Sequence, residues 1–515
     1  MKTLFFLLLS LPITCLYAQE RRVVVVPPDS VGVLNNVIAG DTLDNGQRVD
    51  PRTIYLLKRN GVYKLVGEIQ NQGYPLTIRA EEGEGAMPVL QPTPPSGGGT
   101  FSHFTALGDL NQEGLYITKV KEVGAYEERM IRVQSDSARV RLENCWLDGT
   151  GQSIVRLGNI GAKVYINNCI ASNVGRTFIP NNGRLIDARE TTDSVVVTNS
   201  TLYNITSRVL RIGGARYFRY IDFSQNTIVN VAQRLITFEE TIEARFTNNL
   251  VMNPGFLGDL RTSEYLELAE LNDELKDIFE AQGIEQSIDV RNNLFFTSPR
   301  VAALRGDTVN NQPFYSDDVY KFSVLDSAEL VDNFTFTEPI EFKNAPLLPE
   351  AVLQGMINDQ LFAENIDNGT APNWPLFASP FNLLVDGALP LPWNFPYDFS
   401  YSPVSFAATA ATDGGALGDR RWGLEEVDIV LGNDLPEENI FRLYPNPVIN
   451  RLQLQSSLRM PLRLQIYNTQ GKLLLTDELT ANDRNVSLRS LPPGTYLVNI
   501  WQRGQRVYQS KILKQ

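Results

Sequence analysis

The side chains best suited to chemistry in this chain are cationic and aromatic. Lys163, nearly the only lysine in the middle of the sequence, has Tyr165 two residues on, and Arg139 and Arg141 lie one repeat earlier. A second group, Arg156, Asp187 and Arg211, occupies matching places in successive repeats. Arginine offers a planar fork to carboxylate or sulfate oxygens, and an outward tyrosine ring can stack on a sugar. These residues therefore suit an acidic carbohydrate. Asp187 and Asp222 are formally a carboxylate pair for glycoside hydrolysis, though sequence does not fix their separation. The sole histidine, His103, falls in an early loop and reads as a surface residue. No Asp/Glu set has the spacing of a Ca²⁺ loop, so no metal ligands are assigned.

What positions these residues is a repeat. Residues 138–149 read ARVRLENCWLDG, and the line returns as AKVYINNCIASN, SVVVTNSTLYN, YIDFSQNTIVN, EARFTNNLVMN and SIDVRNNLFF. Anchored on Leu142, Ile166, Val197, Phe223, Phe246 and Val290, the steps are 24, 31, 26, 23 and 44 residues. Self-similarity at this period indicates a solenoid with loops of variable length. The anchors and their i−2 neighbours are apolar in every copy, while Arg139, Lys163, Arg141 and Tyr165 fall on the alternate positions. Period-two alternation places the apolar pairs inward and these four side chains outward.

A second set of segments, MIRV, IVRL, LIDA, VLRI and LITF, steps with the first and carries an outward column of Arg132, Arg156, Asp187, Arg211 and Thr237. Alternation breaks just before it, where Ser153, Arg184, Arg208 and Arg234 would point inward, so a corner is expected there. Each coil thus holds at least two sheets and a third segment that does not align by eye.

The 515 residues carry a net charge of −13, with 43% hydrophobic and 20% charged residues. That balance suits a soluble exported protein and argues against a nucleic-acid binder. Residues 1–18 read as a signal peptide, with Lys2, the apolar run Leu4–Leu11, and Leu16-Tyr17-Ala18 before a cut at Gln19. Lipidation at Cys15 is the alternative, although Pro12-Ile13-Thr14 is a poor lipobox. No later stretch has the roughly 18 to 20 apolar residues of a spanning helix. Cys145 and Cys169 share a column in adjacent coils. Strands about 4.8 Å apart permit a disulfide, whose Cα separation is roughly 4.4–6.8 Å; two buried thiols fit equally.

After each anchor comes an amide, Asn144, Asn168, Asn199, Gln225, Asn248 or Asn292, and this column resembles the asparagine ladder of right-handed parallel β-helices. The opening strands, with Pro75-Leu76-Thr77-Ile78-Arg79 and Gly114-Leu115-Tyr116-Ile117, are similar to the first coils of pectate-lyase-like and chondroitinase B-like β-helices. The fold expected is all-β, a right-handed parallel β-helix over 19–297 followed by a small antiparallel β-sandwich. A helix at Ser30–Ala39 would cap the open end. Leu260–Ala281, inside an insertion at about 257–285, reads as an amphipathic helix. Residues 298–423 read as an irregular wrap of the β-helix, with a short helix at 349–360, and 424–438 as an acidic linker. The ending from Trp393 to Trp422 is similar to that of secreted β-helix proteins of Bacteroidetes-like bacteria.

Residues 439–515 are antiparallel in pattern, with Leu443-Tyr444-Pro445-Asn446-Pro447, a turn at Asn468-Thr469-Gln470-Gly471-Lys472, and Leu491-Pro492-Pro493-Gly494-Thr495-Tyr496. They resemble the C-terminal sorting domain of type IX secretion cargo. This implies engagement of that machinery, passage through the periplasm, and a surface or extracellular destination. The β-helix resemblance implies polysaccharide lyases, which remove the proton α to a uronate carboxylate with a Lys or Arg base while Ca²⁺ or Arg neutralises the carboxylate. Lys163 is then the candidate base, and Arg139, Arg141, Tyr165, Arg156, Asp187 and Arg211 the candidate substrate contacts. Ca²⁺ stays open as a cofactor. A monomer acting on polysaccharide is expected; a non-catalytic adhesin or structural surface protein is the alternative, since soluble solenoids also carry ladders of charge.

Overall fold

The computed structural model describes residues 21–93, 102–119, 128–176, 182–213, 217–233, 235–238, 240–256, 266–267, 271–305, 308–309, 312–313, 328–331, 334–336, 340–347, 395–424, 442–455, 462–468, 472–480, 484–502 and 505–515. The segment read as a signal peptide, residues 425–438 of the acidic linker and the helix expected at 349–360 lie outside them.

Three parallel sheets wind into one solenoid. Sheet I has eleven strands, from Val23–Val26 to Ala328–Val331; sheet II has ten, from Val62–Leu65 to Phe334–Phe336; sheet III has eight, from Ile69–Gln70 to Leu266–Glu267. One coil runs from sheet III (Arg129–Val133) to sheet I (Arg139–Glu143) and sheet II (Trp146–Thr150) before re-entering sheet III at Ser153–Leu157. The third segment of each coil is therefore the one directly after the amide turn. The anchors Leu142, Ile166, Val197, Phe223, Phe246 and Val290 are all buried in one continuous core. Sheets I and II continue past residue 297, through 328–331 and 334–336.

The amides are explained by backbone geometry. Asn144, Asn168, Asn199, Gln225, Asn248 and Asn292 all have φ between 47° and 61°, a left-handed conformation that Asn tolerates better than most residues. That single residue turns the chain from sheet I into sheet II. The buried hydrogen-bonded ladder is the next column, Cys145, Cys169, Ser200, Asn226, Asn249 and Asn293. Asn226 donates to the Val197 carbonyl at 2.8 Å and accepts from the Ser200 amide at 3.1 Å; Asn249 does the same for Phe223 and Asn226. A second ladder inside sheet II joins Asn173, Asn204, Asn230 and Asn253, each again at positive φ, by amide-to-amide bonds of 2.8–3.1 Å.

Segments outside the repeat cover one end and one face of the solenoid. The helix Val33–Gly40 buries Val33, Leu34 and Ile38 against the first coil. Residues 395–424 lie on the outward face of sheet II: Phe395, Tyr397, Phe399 and Trp422 pack on Trp146, Ile170 and Tyr203, and Asp419 accepts from Thr201 at 2.7 Å. In the 254–286 interruption the helix is shorter than expected, Asp273–Glu280; Phe279 packs on Ile242 and Leu271, and Asn272 caps it. The C-terminal unit stacks the antiparallel strands Arg442–Tyr444, Arg451–Gln455 and Asn485–Ser487 against a four-stranded sheet around Leu452, Leu464, Val486, Val498 and Ile500.

Candidate functional site

On sheet III the register aligns Arg132, Arg156, Asp187 and Arg211 in one column, and Arg129, Ser153, Arg184 and Arg208 in another. Between the columns lie two successive core residues per strand, Met130-Ile131, Ile154-Val155, Leu185-Ile186 and Val209-Leu210, all fully buried. A flat strand would send one of each pair outward. Here the strand bends between them, and the pairing skips the first of each pair. Residues three apart therefore share the outer side, and Arg184 meets Asp187 at 3.5 Å. The sequence placed a corner at Ser153, Arg184 and Arg208, because strict alternation would turn them inward; the bend lies just after them, within the strand, and brings Arg184 and Arg208 to the charged face.

Asp187 is only 3% exposed. Its carboxylate lies 3.0 Å from Arg189, 3.5 Å from Arg184 and 4.0 Å from Arg211. It thus organises the arginines from beneath and is not itself presented at the surface. Arg129 pairs with Glu128 at 3.1 Å, whereas Arg132 and Arg156 make no ion pair among the described residues. Seven arginines lie on this face over four successive strands, three of them, Arg184, Arg189 and Arg211, within 4.0 Å of Asp187, and Glu128 stands beside Arg129. Burial lowers the Arg156 pKa, and Arg129 adds to the effect while Asp187 opposes it. Burial likewise brings Arg184 down to about 10 against the pull of Asp187, with Arg211, Arg189 and Arg208 repelling its charge. Like charges crowded to this extent mark a place where an anion would be stabilised. Arg129, Arg184, Arg189 and Arg208 were absent from the expected site; the break in alternation at Arg184 and Arg208 was their only signal.

The other candidates lie on sheet I. Arg139 is in register with Lys163, and Arg141 with Tyr165, so the four form a square on adjacent strands. Arg139, Arg141 and Tyr165 line a cleft of about 640 Å³ together with Arg79, Glu113 and Glu143. Three of the arginines lining it have a carboxylate partner: Arg79 with Glu113 at 2.9 Å, Arg139 with Asp109 at 2.7 Å, and Arg141 with Glu143 at 3.5 Å. The Lys163 ammonium has no ion pair among the described residues. The seven candidates are therefore two groups on two sheets.

Asp187 and Asp222 fall on sheets III and I respectively, and Asp222 accepts from Tyr220 at 3.1 Å. They do not form a catalytic pair. His103 is not a surface residue: it is fully buried, its Nε2 lies 2.7 Å from the Thr118 carbonyl oxygen, and burial with the nearby Lys119 charge holds its pKa well below the usual range. Cys145 and Cys169 are free thiols, both buried in the ladder, where the Cys145 amide donates to Cys169 Sγ at 3.4 Å. No group of three or more His, Cys, Asp or Glu side chains among the described residues could hold a metal ion.

No described helix is long and apolar enough to cross a membrane. A search of the curated proteins gives no match to the chain. Residues 442–515 match the family described as the secretion system C-terminal sorting domain, over the antiparallel unit. The chain joins a parallel β-solenoid to a type IX sorting domain, which implies contact with the secretion machinery and indicates export to the cell surface or the extracellular space.

Proposed function

We propose that the exported solenoid, acting as a monomer, binds an acidic polysaccharide along the outward face of sheet III. The observation that carries this reading is the crowd of arginines around Asp187 in a chain whose net charge is −13. A positive patch on a negative molecule costs self-repulsion and is relieved by a bound anion. The columns step from coil to coil by about 4.8 Å, so Arg132, Arg156 and Arg211 form a rail along the solenoid axis, suited to a chain with acidic groups on successive sugars. Arg156, Arg211 and Arg132 would contact the polymer, and Asp187 would hold Arg184, Arg189 and Arg211 in place. The resemblance to pectate-lyase-like β-helices fits this partner, and the segment read as a signal peptide fits the first step of export.

The test is binding of alginate, pectate and heparin to the chain and to Arg156→Ala/Arg211→Ala. Retention of at least one polymer, lost in the double variant and weakened by salt, supports the reading. Equal binding by the variant, or none by the parent, refutes it and leaves an adhesin or structural surface protein.

A second reading has its own observation, the Lys163 ammonium, without an ion pair among the described residues, beside Arg139 and the Arg141/Tyr165 cleft. Lys163 would act as the base of uronide elimination, with Arg139 and Arg141 neutralising the carboxylate and Tyr165 stacking on the ring. No step requires Ca²⁺ when arginine supplies the positive charge, and dependence on Ca²⁺ is checked with a chelator. Ultraviolet absorbance of the unsaturated product would rise with time and stay flat for Lys163→Ala; no rise on any polymer excludes elimination.

A further inference from the structure

At the head of sheet III lies a cavity of about 880 Å³ between the capping helix and the first coil, within the size range of ligand pockets. Its wall is rich in groups that bind hydroxyls: Asn36, Gln47, Gln70 and Gln72, with the Tyr74 ring and Arg48 behind them. The Arg48 side chain is only 10% exposed. Its guanidinium sits 4.3 Å from the centre of the Tyr74 ring and is held by the Asp41 carboxylate, the Tyr55 hydroxyl and the Ile38 carbonyl oxygen, so this wall is fixed by the protein itself. Gln72 donates to Gln70 at 3.3 Å and Gln70 to Glu68 at 2.9 Å, so the wall is ordered before any ligand arrives.

The cavity is aligned with the arginine rail. Gln70 is in register with Thr105, and Thr105 with Arg132, which leads to Arg156, Asp187 and Arg211. Two strand steps, about 10 Å, separate Gln70 from Arg132. The rail ends at this point because the helix Val33–Gly40 and residues 42–51 close the solenoid. Internal sugars would lie on an open face, whereas a sugar at the head meets a wall.

We infer that this cavity holds the terminal sugar of an acidic polysaccharide whose following units lie on the arginines of sheet III, so that the protein recognises chain ends. The inference rests on the binding reading above and adds a polarity to it: neutral hydroxyl recognition at the head, anion recognition along the rail.

The experiment uses the full chain and competes long alginate, pectate or heparin against short oligomers prepared from the same polymer. Recognition of ends requires potency to follow the number of chain ends, so oligomers inhibit at a lower mass concentration in proportion to their shorter length. Gln70→Trp fills the cavity and leaves the arginines intact; potency should then follow mass alone. Gln47→Trp, on the opposite wall, repeats the test if the first variant fails to fold. Potency that follows mass in the parent chain overturns the end pocket while leaving the rail standing. A parent chain that binds no acidic polymer overturns both. Arg156→Ala/Arg211→Ala with oligomer binding unchanged would refute the rail and with it the joint arrangement.

Discussion

Replacing Asp187 by asparagine removes the one carboxylate at the centre of the arginine cluster and nearly preserves its shape. The Arg184 side chain is 8% exposed and cannot turn freely to solvent, whereas Arg189 and Arg211 are 36% and 30% exposed and can. Leaving one charge of a buried pair unpartnered costs about 3–5 kcal/mol. With two of the three arginines able to rehydrate, the lower end applies, about 3 kcal/mol. Urea unfolding followed by far-ultraviolet circular dichroism should show the loss as a lower midpoint at unchanged slope. Two controls separate charge from packing. Added sulfate should restore part of the loss, because it can replace the missing negative charge. Arg184→Met in the Asp187→Asn background should recover stability, giving a coupling of at least about 0.5 kcal/mol between the two sites. A loss below about 1 kcal/mol for Asp187→Asn, within the range of a surface pair, or additive single substitutions, would refute the view that Asp187 holds the cluster together.

Asn226→Ala should cost about 2–6 kcal/mol, since it leaves the buried Ser200 amide and Val197 carbonyl without partners at roughly 1–3 kcal/mol each; Asn226→Ser, which copies the residue one coil earlier, should cost less in the same unfolding assay. Burial raises the Tyr63 pKa to about 12, and its hydroxyl donates to the Val26 carbonyl at 2.6 Å. The folded pKa lies above the unfolded value near 10, so Tyr63 contributes full stability below pH 10 and loses it as pH rises towards 12. Alkaline titration of tyrosine absorbance should accordingly show late, unfolding-linked ionisation that Tyr63→Phe removes in part. Cys145 and Cys169 are 1% and 0% exposed, and burial pushes the Cys169 thiol pKa up. A thiol reagent should label neither before unfolding and both after; labelling of the native chain would show that the ladder opens at that coil.

Sheet I was legible in the sequence because its six aligned copies from Arg139 to Arg291 obey one rule. Leu142, Ile166, Val197, Phe223, Phe246 and Val290 recur in step, their i−2 partners are apolar, and the following amide marks the turn. Strand, inward face, register between coils and turn position are all local properties, so a single column of residues fixes them. The placement of Arg139 beside Lys163 and of Arg141 beside Tyr165 followed from the same column. The sorting domain was legible for a similar reason: its turn motifs and alternating strands are contiguous in the chain.

The arginine cluster was not. Arg184 and Arg208 break the two-residue period, and an alternation rule turns them into the core. Only the bend at Met130, Ile154, Leu185 and Val209 carries them to the side of Arg156 and Arg211, and at that bend two consecutive apolar residues of each strand are buried in the core. His103 was misjudged on the same ground, since burial of a loop residue depends on what other coils lay over it. The two groups of candidates already fell on different segments of the coil in the sequence; how those segments stand to one another, and with them Asp187 and Asp222, depends on how each coil closes in three dimensions. The sequence alone determined which residues face out along a straight strand; the tertiary structure decided which outward residues meet, because strand bends, cross-coil packing and the capping helix Val33–Gly40 are set by contacts between segments distant in the chain.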